Sequence, residues 1–168
     1  SASAYARSKA EGEDAILAAC PQAHILRPSI VVGPEDDFFN RFATMAQIAP
    51  ALPLIGGGLT RYQPVSVFDV AQAVAACLAQ APSGVYELGG PQIYSFRELM
   101  ELMLDKIDKR RVLVPLPFAA AGMLAQFGRV LPKPPLTPDQ VILLRSDNVV
   151  GENMLDLAAL GIEATPIA

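Results

Sequence analysis

Apolar and polar positions along the chain switch repeatedly between helical spacing and short apolar runs. The first of these patterns predicts a helix that extends to about Ala19, because Ser3 is a suitable N-cap and Cys20 and Pro21 end the pattern. The β-branched run at 23–33 follows, and it predicts a strand buried on both faces of a parallel sheet.

The rest of the chain continues this alternation of helices and strands. Ser95 and Glu98 form an S-x-x-E capping box before an apolar pattern with helical spacing, and Thr137 with Pro138 marks another helix start. The succession predicts an α/β fold without internal repeats. We expect further helices at 34–49 and 68–80, strands at 60–67, 85–90 and 111–117, a loop at 50–59, and a short helix that ends at Gly161.

The composition is more apolar than a domain of this size needs. The 168 residues are 52% hydrophobic, and the mean hydropathy is +0.33. Some apolar surface should therefore meet a partner. The most apolar segment, 115–131, is too short to span a bilayer, and we interpret it as a buried helix or a protein interface, with membrane contact as the alternative.

Charge and cysteine content exclude some function classes. The net charge is −4, and the largest basic cluster is the run Lys109 to Arg111, which argues against nucleic acid as a ligand. Cys20 and Cys77 have no metal-ligand spacing, so no metal site is predicted, and we interpret them as buried free thiols in a reducing cytoplasm.

Tyr5 and Lys9 are the first candidates for chemistry. They are four residues apart on the first predicted helix and therefore share one face of it. An ammonium group beside a phenol favours the ionised phenol, which suits proton exchange with a substrate hydroxyl or carbonyl. The alternative is a solvated helix face with no function.

A glycine-rich dinucleotide motif is missing from these 168 residues. Neither G-x-x-G-x-x-G nor G-x-G-x-x-G occurs, and the IGGGL segment at 55–59 is interpreted as a flexible turn.

Several segments in order nevertheless resemble one family. They are YARSKAEGE, ILRPSIVVGPEDDFFNRFA, TRYQPVSVFDVAQAV, YELGGPQIYSFRELM, the PLPF helix, LTPDQV and LGIEATP. Together they resemble the second half of an atypical extended short-chain dehydrogenase/reductase. The branch they resemble most contains the NAD(P)H-binding accessory subunit of respiratory complex I and its bacterial homologues.

The resemblance implies a fold and a domain organisation. Residues 1–168 would be a single fragment, the C-terminal part of an NAD(P)-binding Rossmann-type extended reductase. Its parallel strands and helices would be interleaved with a small α/β substrate-side subdomain, and the glycine-rich half that grips the cofactor would be absent. Such a fragment should bind no cofactor alone, and its exposed apolar surface should make it a homo-oligomer.

The resemblance also implies roles for individual residues. Tyr5 would be the general acid/base, and Lys9 would hold the nicotinamide ribose. Asp69 would have a structural role at a helix start, and His24 would cap or pack. For Arg61 a surface ion pair remains the alternative to substrate binding. The residues next to the nicotinamide would be Pro28, Ser29 and Ile30, and the substrate-binding residues would be Asn40, Arg41, Arg61 and Gln63.

Two functions follow as alternatives. The first is a complex I accessory-subunit-like protein that binds NADP or NAD with little or no turnover and docks on a respiratory complex. The second is an active NAD(P)-dependent oxidoreductase, or a nucleotide-sugar epimerase or reductase, that uses the Tyr5 and Lys9 pair. The expected location is the cytoplasm, or the periphery of the inner membrane.

Overall fold

The structure is a computed structural model that describes residues 3–79, 81–128 and 136–167. These residues form an α/β fold, as the sequence predicts. The helices are α1 (Ala4–Ala19), α2 (Asp37–Ile48), α3 (Val67–Leu78), α4 (Phe96–Lys106), α5 (Phe118–Gly128) and α6 (Pro138–Leu143). The strands are β1 (His24–Pro28), β2 (Val31–Val32), β3 (Ala51–Ile55), β4 (Arg61–Tyr62), β5 (Val65–Ser66), β6 (Gly84–Leu88), β7 (Tyr94–Ser95) and β8 (Val112–Leu116).

Helix α1 begins and ends where its sequence predicts. The Ser3 hydroxyl accepts a hydrogen bond from the Ala6 N–H, and the Cys20 N–H closes the last turn on the Ile16 carbonyl. No residue of α1 is buried by the rest of the chain. The helix is therefore fixed by its ends and by polar contacts rather than by an apolar face.

Among the residues that the structure describes, three of the four strand pairs are parallel. Strand β1 pairs with β6, β2 with β5 and β3 with β8, whereas β4 and β7 are antiparallel. On the far side of β6, the Glu87 N–H donates to the Leu155 carbonyl. Within the described residues β1 pairs with β6 alone, so its other edge carries no strand.

The run 23–33 is not a single strand, which corrects the prediction. Strand β1 ends at Pro28, and β2 then begins beside β5. Between them the Ser29 N–H donates to the Leu88 carbonyl, while the Ile30 carbonyl accepts from the Val65 N–H. The chain thus changes partners here. Arg27 and Pro28 are exposed, so the prediction that both faces are buried is also wrong for this end of the run.

The predicted loop at 50–59 is wrong for its first half. Ala51–Ile55 form β3, and Leu52 and Leu54 are completely buried. The three glycines that follow adopt φ values of 63°, 74° and 76°, in the left-handed region that favours glycine. They form the turn that follows β3. The glycines in this segment therefore mark the end of a strand rather than a long loop.

In the described ranges, three groups of buried side chains make up the core. The first lies between α2, α4 and β3 and contains Phe96, Leu99 and Met100. The second joins β5, α3 and β6 around Val65, Tyr86 and Leu88. The third packs α5 and α6 on the end of β3.

Two smaller predictions also change. Cys20 is exposed rather than buried, because it lies past the end of a helix without a buried face. Cys77 is half-buried, and that burial raises the pKa of its thiol. The ends of the helices predicted at 68–80 and 115–131 lie partly outside the described residues. None of the helices in the described ranges has the length and hydropathy needed to cross a membrane.

Candidate functional site

Tyr5 and Lys9 lie together on α1. The Lys9 ammonium is 5.6 Å from the centre of the Tyr5 ring, close enough for a cation–π contact. The Tyr5 side chain is 57% exposed, and Lys9 is exposed as well. The helical spacing therefore brings the two predicted side chains into contact, and both residues are exposed.

A carboxylate from the other end of the chain holds the start of this helix. Asp139 accepts hydrogen bonds from the Ser3 hydroxyl at 2.9 Å, from the Ala4 N–H at 2.8 Å and from the Tyr5 N–H at 3.3 Å. These bonds satisfy donors that a helix N-terminus leaves open. They also fix the backbone that carries Tyr5.

The same face of α1 is attached to the end of β1. Glu13 lies one turn beyond Lys9, and its carboxylate accepts from the Arg27 Nε at 3.1 and 3.0 Å. Only residues 20–23 separate the end of α1 from the start of β1, so the helix runs antiparallel to the strand. Tyr5, about 12 Å from Glu13 along the helix, therefore lies towards the carboxyl end of β1.

A cleft opens at the carboxyl ends of β1 and β6. This is the position where open α/β sheets bind ligands. Its volume is about 250 Å³. The lining residues are Arg27, Pro28, Ser29, Glu87, Leu88, Asp147, Asn148, Val149 and Val150.

Two of the three predicted nicotinamide contacts line this cleft. Pro28 and Ser29 do so, whereas Ile30 packs against the first core group. The Ser29 hydroxyl donates to the Asn148 carbonyl at 2.8 Å and accepts from the Gln63 N–H at 3.3 Å. That hydroxyl is engaged in holding the cleft wall.

The predicted substrate residues are not gathered in the cleft lining. Asn40 uses its side-chain amide to bind the carbonyls of Pro34 and Asp36 at the start of α2. Arg41 is an exposed residue of that helix, and its side chain or backbone has an interaction partner. Neither residue is among those that line the cleft.

Arg61 and Gln63 do not line the cleft, but they bind two residues that do, Asp147 and Val150. The Arg61 Nε donates to Asp147 at 2.8 Å, so the surface ion pair weighed as the alternative for Arg61 is present. The Arg61 N–H and side chain together lower the pKa of the Asp147 carboxyl. Gln63 binds the Gly90 carbonyl and the Val150 N–H.

Sequence reasoning missed the C-terminal wall of the cleft. Residues 147–150 reach it only because the chain folds back beside β4, where Asn148 forms a bridge with Tyr62. Asn148 is 119 residues from Ser29, and no local pattern reports such a pairing. The ion pair between Arg27 and Glu13 was also missed, although a charged residue at the end of an apolar run is a signal that a partner lies nearby.

Two further polar residues have structural contacts. His24 bonds through Nε2 to the Ala81 carbonyl at 2.8 Å and stacks on Tyr86, as expected of a packing residue. Asp69 is completely buried and accepts from the Thr165 N–H and hydroxyl. Its role is structural, as predicted, but it anchors the C-terminal segment, while Ser66 caps α3.

The available donors fit one part of a nicotinamide cofactor. The Tyr5 hydroxyl and the Lys9 ammonium form no hydrogen bond within the described residues, and together they offer donors and an acceptor that match ribose hydroxyls. Pro28 next to the cleft has no N–H to satisfy. The Ser29 hydroxyl, in contrast, is already engaged.

Comparison with known proteins shows what this chain is similar to. The family model described as the RmlD substrate binding domain matches residues 2–127. The chain is 39% identical over 168 residues to the mitochondrial NADH dehydrogenase (ubiquinone) 1 alpha subcomplex subunit 9 of Arabidopsis thaliana, a match that covers 93% of the chain and 42% of the relative. The chain is also 32% identical to the ceramide reductase of Caulobacter vibrioides, over 70% of the chain and 37% of the relative.

A solved structure shares the fold. The dTDP-glucose 4,6-dehydratase of Bacillus anthracis, in complex with NAD, superposes with a TM-score of 0.60 and 25% identity over 68% of this chain and 40% of that one. The predicted α/β fold and the predicted resemblance to extended reductases are therefore confirmed. The chain spans less than half the length of the two curated relatives.

Proposed function

Since this chain belongs to the RmlD substrate-binding domain family, we propose that it forms the substrate side of a nicotinamide-dinucleotide-binding protein. The whole protein would bind NAD or NADP with little or no turnover, as an accessory subunit of a respiratory NADH dehydrogenase. The similarity to the subunit from Arabidopsis thaliana over 93% of the chain supports this proposal.

The observation that carries the proposal is the position of Tyr5 and Lys9. Their helix face is attached through Glu13 to Arg27, and Arg27 lies next to Pro28 in the lining of the cleft. A phenol and an ammonium group at the carboxyl edge of parallel strands are suited to hold a ribose and orient the attached ring.

The rest of the cofactor site would lie outside residues 1–168. A glycine-rich turn that binds the pyrophosphate is missing from this sequence, and β1 has one edge without a strand among the described residues. We propose that a preceding half of the protein adds parallel strands to this edge and brings that turn. For the 168-residue chain alone we expect no measurable dinucleotide binding.

Exposed apolar residues suggest where a partner docks. On α5 the side chains of Met123, Leu124 and Phe127 are 61%, 54% and 80% exposed. We propose that this stripe meets either a subunit of the respiratory complex or a second copy of the chain. The protein would then lie in the cytoplasm, at the periphery of the inner membrane.

The alternative is an active reductase. The cofactor would supply the hydride, while the Tyr5 hydroxyl would donate a proton to the carbonyl oxygen of the substrate and Lys9 would stabilise the resulting phenolate. The relative named ceramide reductase, 32% identical over 70% of the chain, favours this reading.

Titration of the full-length protein tests the proposal. We expect NADH or NADPH to bind with micromolar affinity, observed as a change in nicotinamide fluorescence. Lys9→Met should weaken binding about tenfold, because it removes a ribose contact. Lys106→Met, which removes an exposed lysine from the last turn of α4, is the control and should leave binding unchanged.

Turnover separates the two functions. An accessory subunit should retain its cofactor through a panel of aldehydes and ketones, and Tyr5→Phe should bind it like the wild type. A substrate that oxidises the bound cofactor, at a rate that Tyr5→Phe abolishes, would establish the reductase instead. A full-length protein that binds neither NADH nor NADPH would contradict both.

A further inference from the structure

The charges at the cleft limit what kind of substrate it accepts. Among the described lining residues Arg27 is the one cation, while Glu87 and Asp147 are both acidic. Glu13 contributes another carboxylate, which accepts hydrogen bonds from the Nε and from a terminal nitrogen of Arg27. A dianionic ligand would therefore meet more carboxylates than guanidinium groups.

Both arginines at the cleft already have carboxylate partners. Arg27 is bound by Glu13 and lies 3.4 Å from a Glu87 oxygen. Arg61, just behind the lining, contacts Asp147 through both Nε and a terminal nitrogen at 2.8 Å. A diphosphate would have to displace one of these carboxylates, at the cost of a two-point, charge-assisted contact.

Four backbone N–H groups at the cleft are also engaged. The N–H of Ser29 donates to Leu88, and that of Asn148 donates to Arg61. The N–H of Val150 donates to the Gln63 side chain, and that of Gly151, next to the lining, donates to Glu87. Phosphate sites without free cations depend on open backbone N–H groups, and these four are occupied.

Part of the remaining wall is aliphatic. Pro28, Val149 and Val150 line the cleft beside the polar residues Ser29 and Asn148, whereas Leu88 is completely buried. Such surfaces gain free energy when apolar groups of a ligand displace water from them.

From these features we propose that the cleft takes an uncharged substrate with an aliphatic portion and excludes substrates that carry a nucleoside diphosphate. The inference rests on the proposed function in taking this cleft as the substrate side. It distinguishes the chain from proteins that act on nucleotide-linked sugars, such as the dehydratase whose fold it shares. The ion pair between Arg61 and Asp147 is the contact that prevents Arg61 from binding a phosphate in the cleft.

Two probes test this on the full-length protein: UDP-glucose and the uncharged aliphatic ketone 2-decanone. Binding is followed by NMR shifts of the Val149 and Val150 methyl groups. We expect 2-decanone to shift these signals, and UDP-glucose to leave them unchanged up to about 10 mM. A wild-type cleft that binds UDP-glucose below about 1 mM, or that responds to neither probe, overturns the proposal.

A substitution then opens the cleft to phosphate. Asp147→Asn keeps an oxygen for the Arg61 N–H but places an amide N–H₂ group where an oxygen accepted from the guanidinium. Arg61 is thereby released, and UDP-glucose should bind at least about tenfold more tightly than to the wild type. An Asp147→Asn protein with no gain in affinity contradicts the proposal.

Asp108→Asn is the matched control. It makes the same change of charge at an exposed position after α4, and asparagine tolerates the positive φ of 50° found there. It should not alter either probe. Titration of the same samples with NADH or NADPH distinguishes the two proposals. If the protein binds neither dinucleotide but responds to 2-decanone and UDP-glucose as expected, the proposed function is contradicted and the inference about the cleft is not.

Discussion

Asp139 joins the beginnings of two helices from opposite ends of the chain. It lies in the first turn of α6 and accepts three hydrogen bonds from residues 3–5 at the start of α1. Its charge also lies at the positive end of the α1 helix dipole. The Ser3 hydroxyl, with the Ala4 and Tyr5 N–H groups, lowers the pKa of the Asp139 carboxyl. Tyr5 therefore depends for its position on a residue 134 positions away.

This contact predicts a loss of stability in acid. A carboxyl whose pKa is lower in the folded state contributes stability above its ordinary pKa, and the contribution disappears as the pH falls through the folded value. Unfolding by urea should therefore become easier as the pH falls below about 4. Asp139→Asn should flatten part of that dependence. Asp14→Asn, an exposed position on α1, is the control, and an equal flattening in it would contradict the role of Asp139.

Whether the partners of a residue are near or far in the sequence explains which site residues were predictable. Tyr5 and Lys9 meet because one helix carries both, and helical spacing is visible in a sequence. The family resemblance predicts that Arg61 binds substrate, but its guanidinium donates to the carboxylate of Asp147, 86 residues further on. Gln63 likewise binds the backbone of Val150. Tertiary partners decide whether a polar side chain is available to a ligand, and the sequence does not display them.

At the level of elements, capped helices were predictable and β3 was not. Ser95 with Glu98 and Thr137 with Gln140 both form complete capping boxes in the structure, so a few adjacent residues set these boundaries. Strand β3 contains Pro53 and precedes three glycines, and this composition is typical of loops. Its pairing with β8, 61 positions away in register, outweighs that local preference.

Two leucines near β3 give a direct test of the strand assignment. Leu54 is completely buried, whereas Leu59, just past the glycine turn, is 77% exposed. Leu54→Ala should lower the free energy of unfolding by about 2–5 kcal/mol, because it leaves a cavity in the core. Leu59→Ala should change it by less than about 0.5 kcal/mol. Chemical denaturation measures both, and similar values for the two variants would contradict a buried strand here.

For the whole molecule, residues 136–167 tie the parts together. Asp139 holds α1, Asn148 bridges to Tyr62 on β4, and Leu155 bridges to Tyr86 on β6. Thr165 then binds the buried Asp69 at the start of α3. This segment supplies one wall of the cleft and also fixes the helix that carries Tyr5. The candidate site is thus assembled from both ends of the sequence, so its two halves could not be joined by reading either end alone.

The exposed stripe on α5 predicts association at the scale of the whole molecule. Met123, Leu124 and Phe127 lie on one face of α5 by helical spacing, opposite the buried Ala121 and Ala125. A contiguous apolar patch of this kind usually marks a contact surface, whereas scattered exposed apolar residues do not. Leu124→Gln combined with Phe127→Gln should therefore lower the weight-average molar mass of the chain, measured by analytical ultracentrifugation. The control pair is Ile48→Gln with Leu78→Gln, at positions that are 86% and 83% exposed on two separate helices. If the control pair reduces association as much as the α5 pair, general hydrophobicity rather than the α5 stripe drives it.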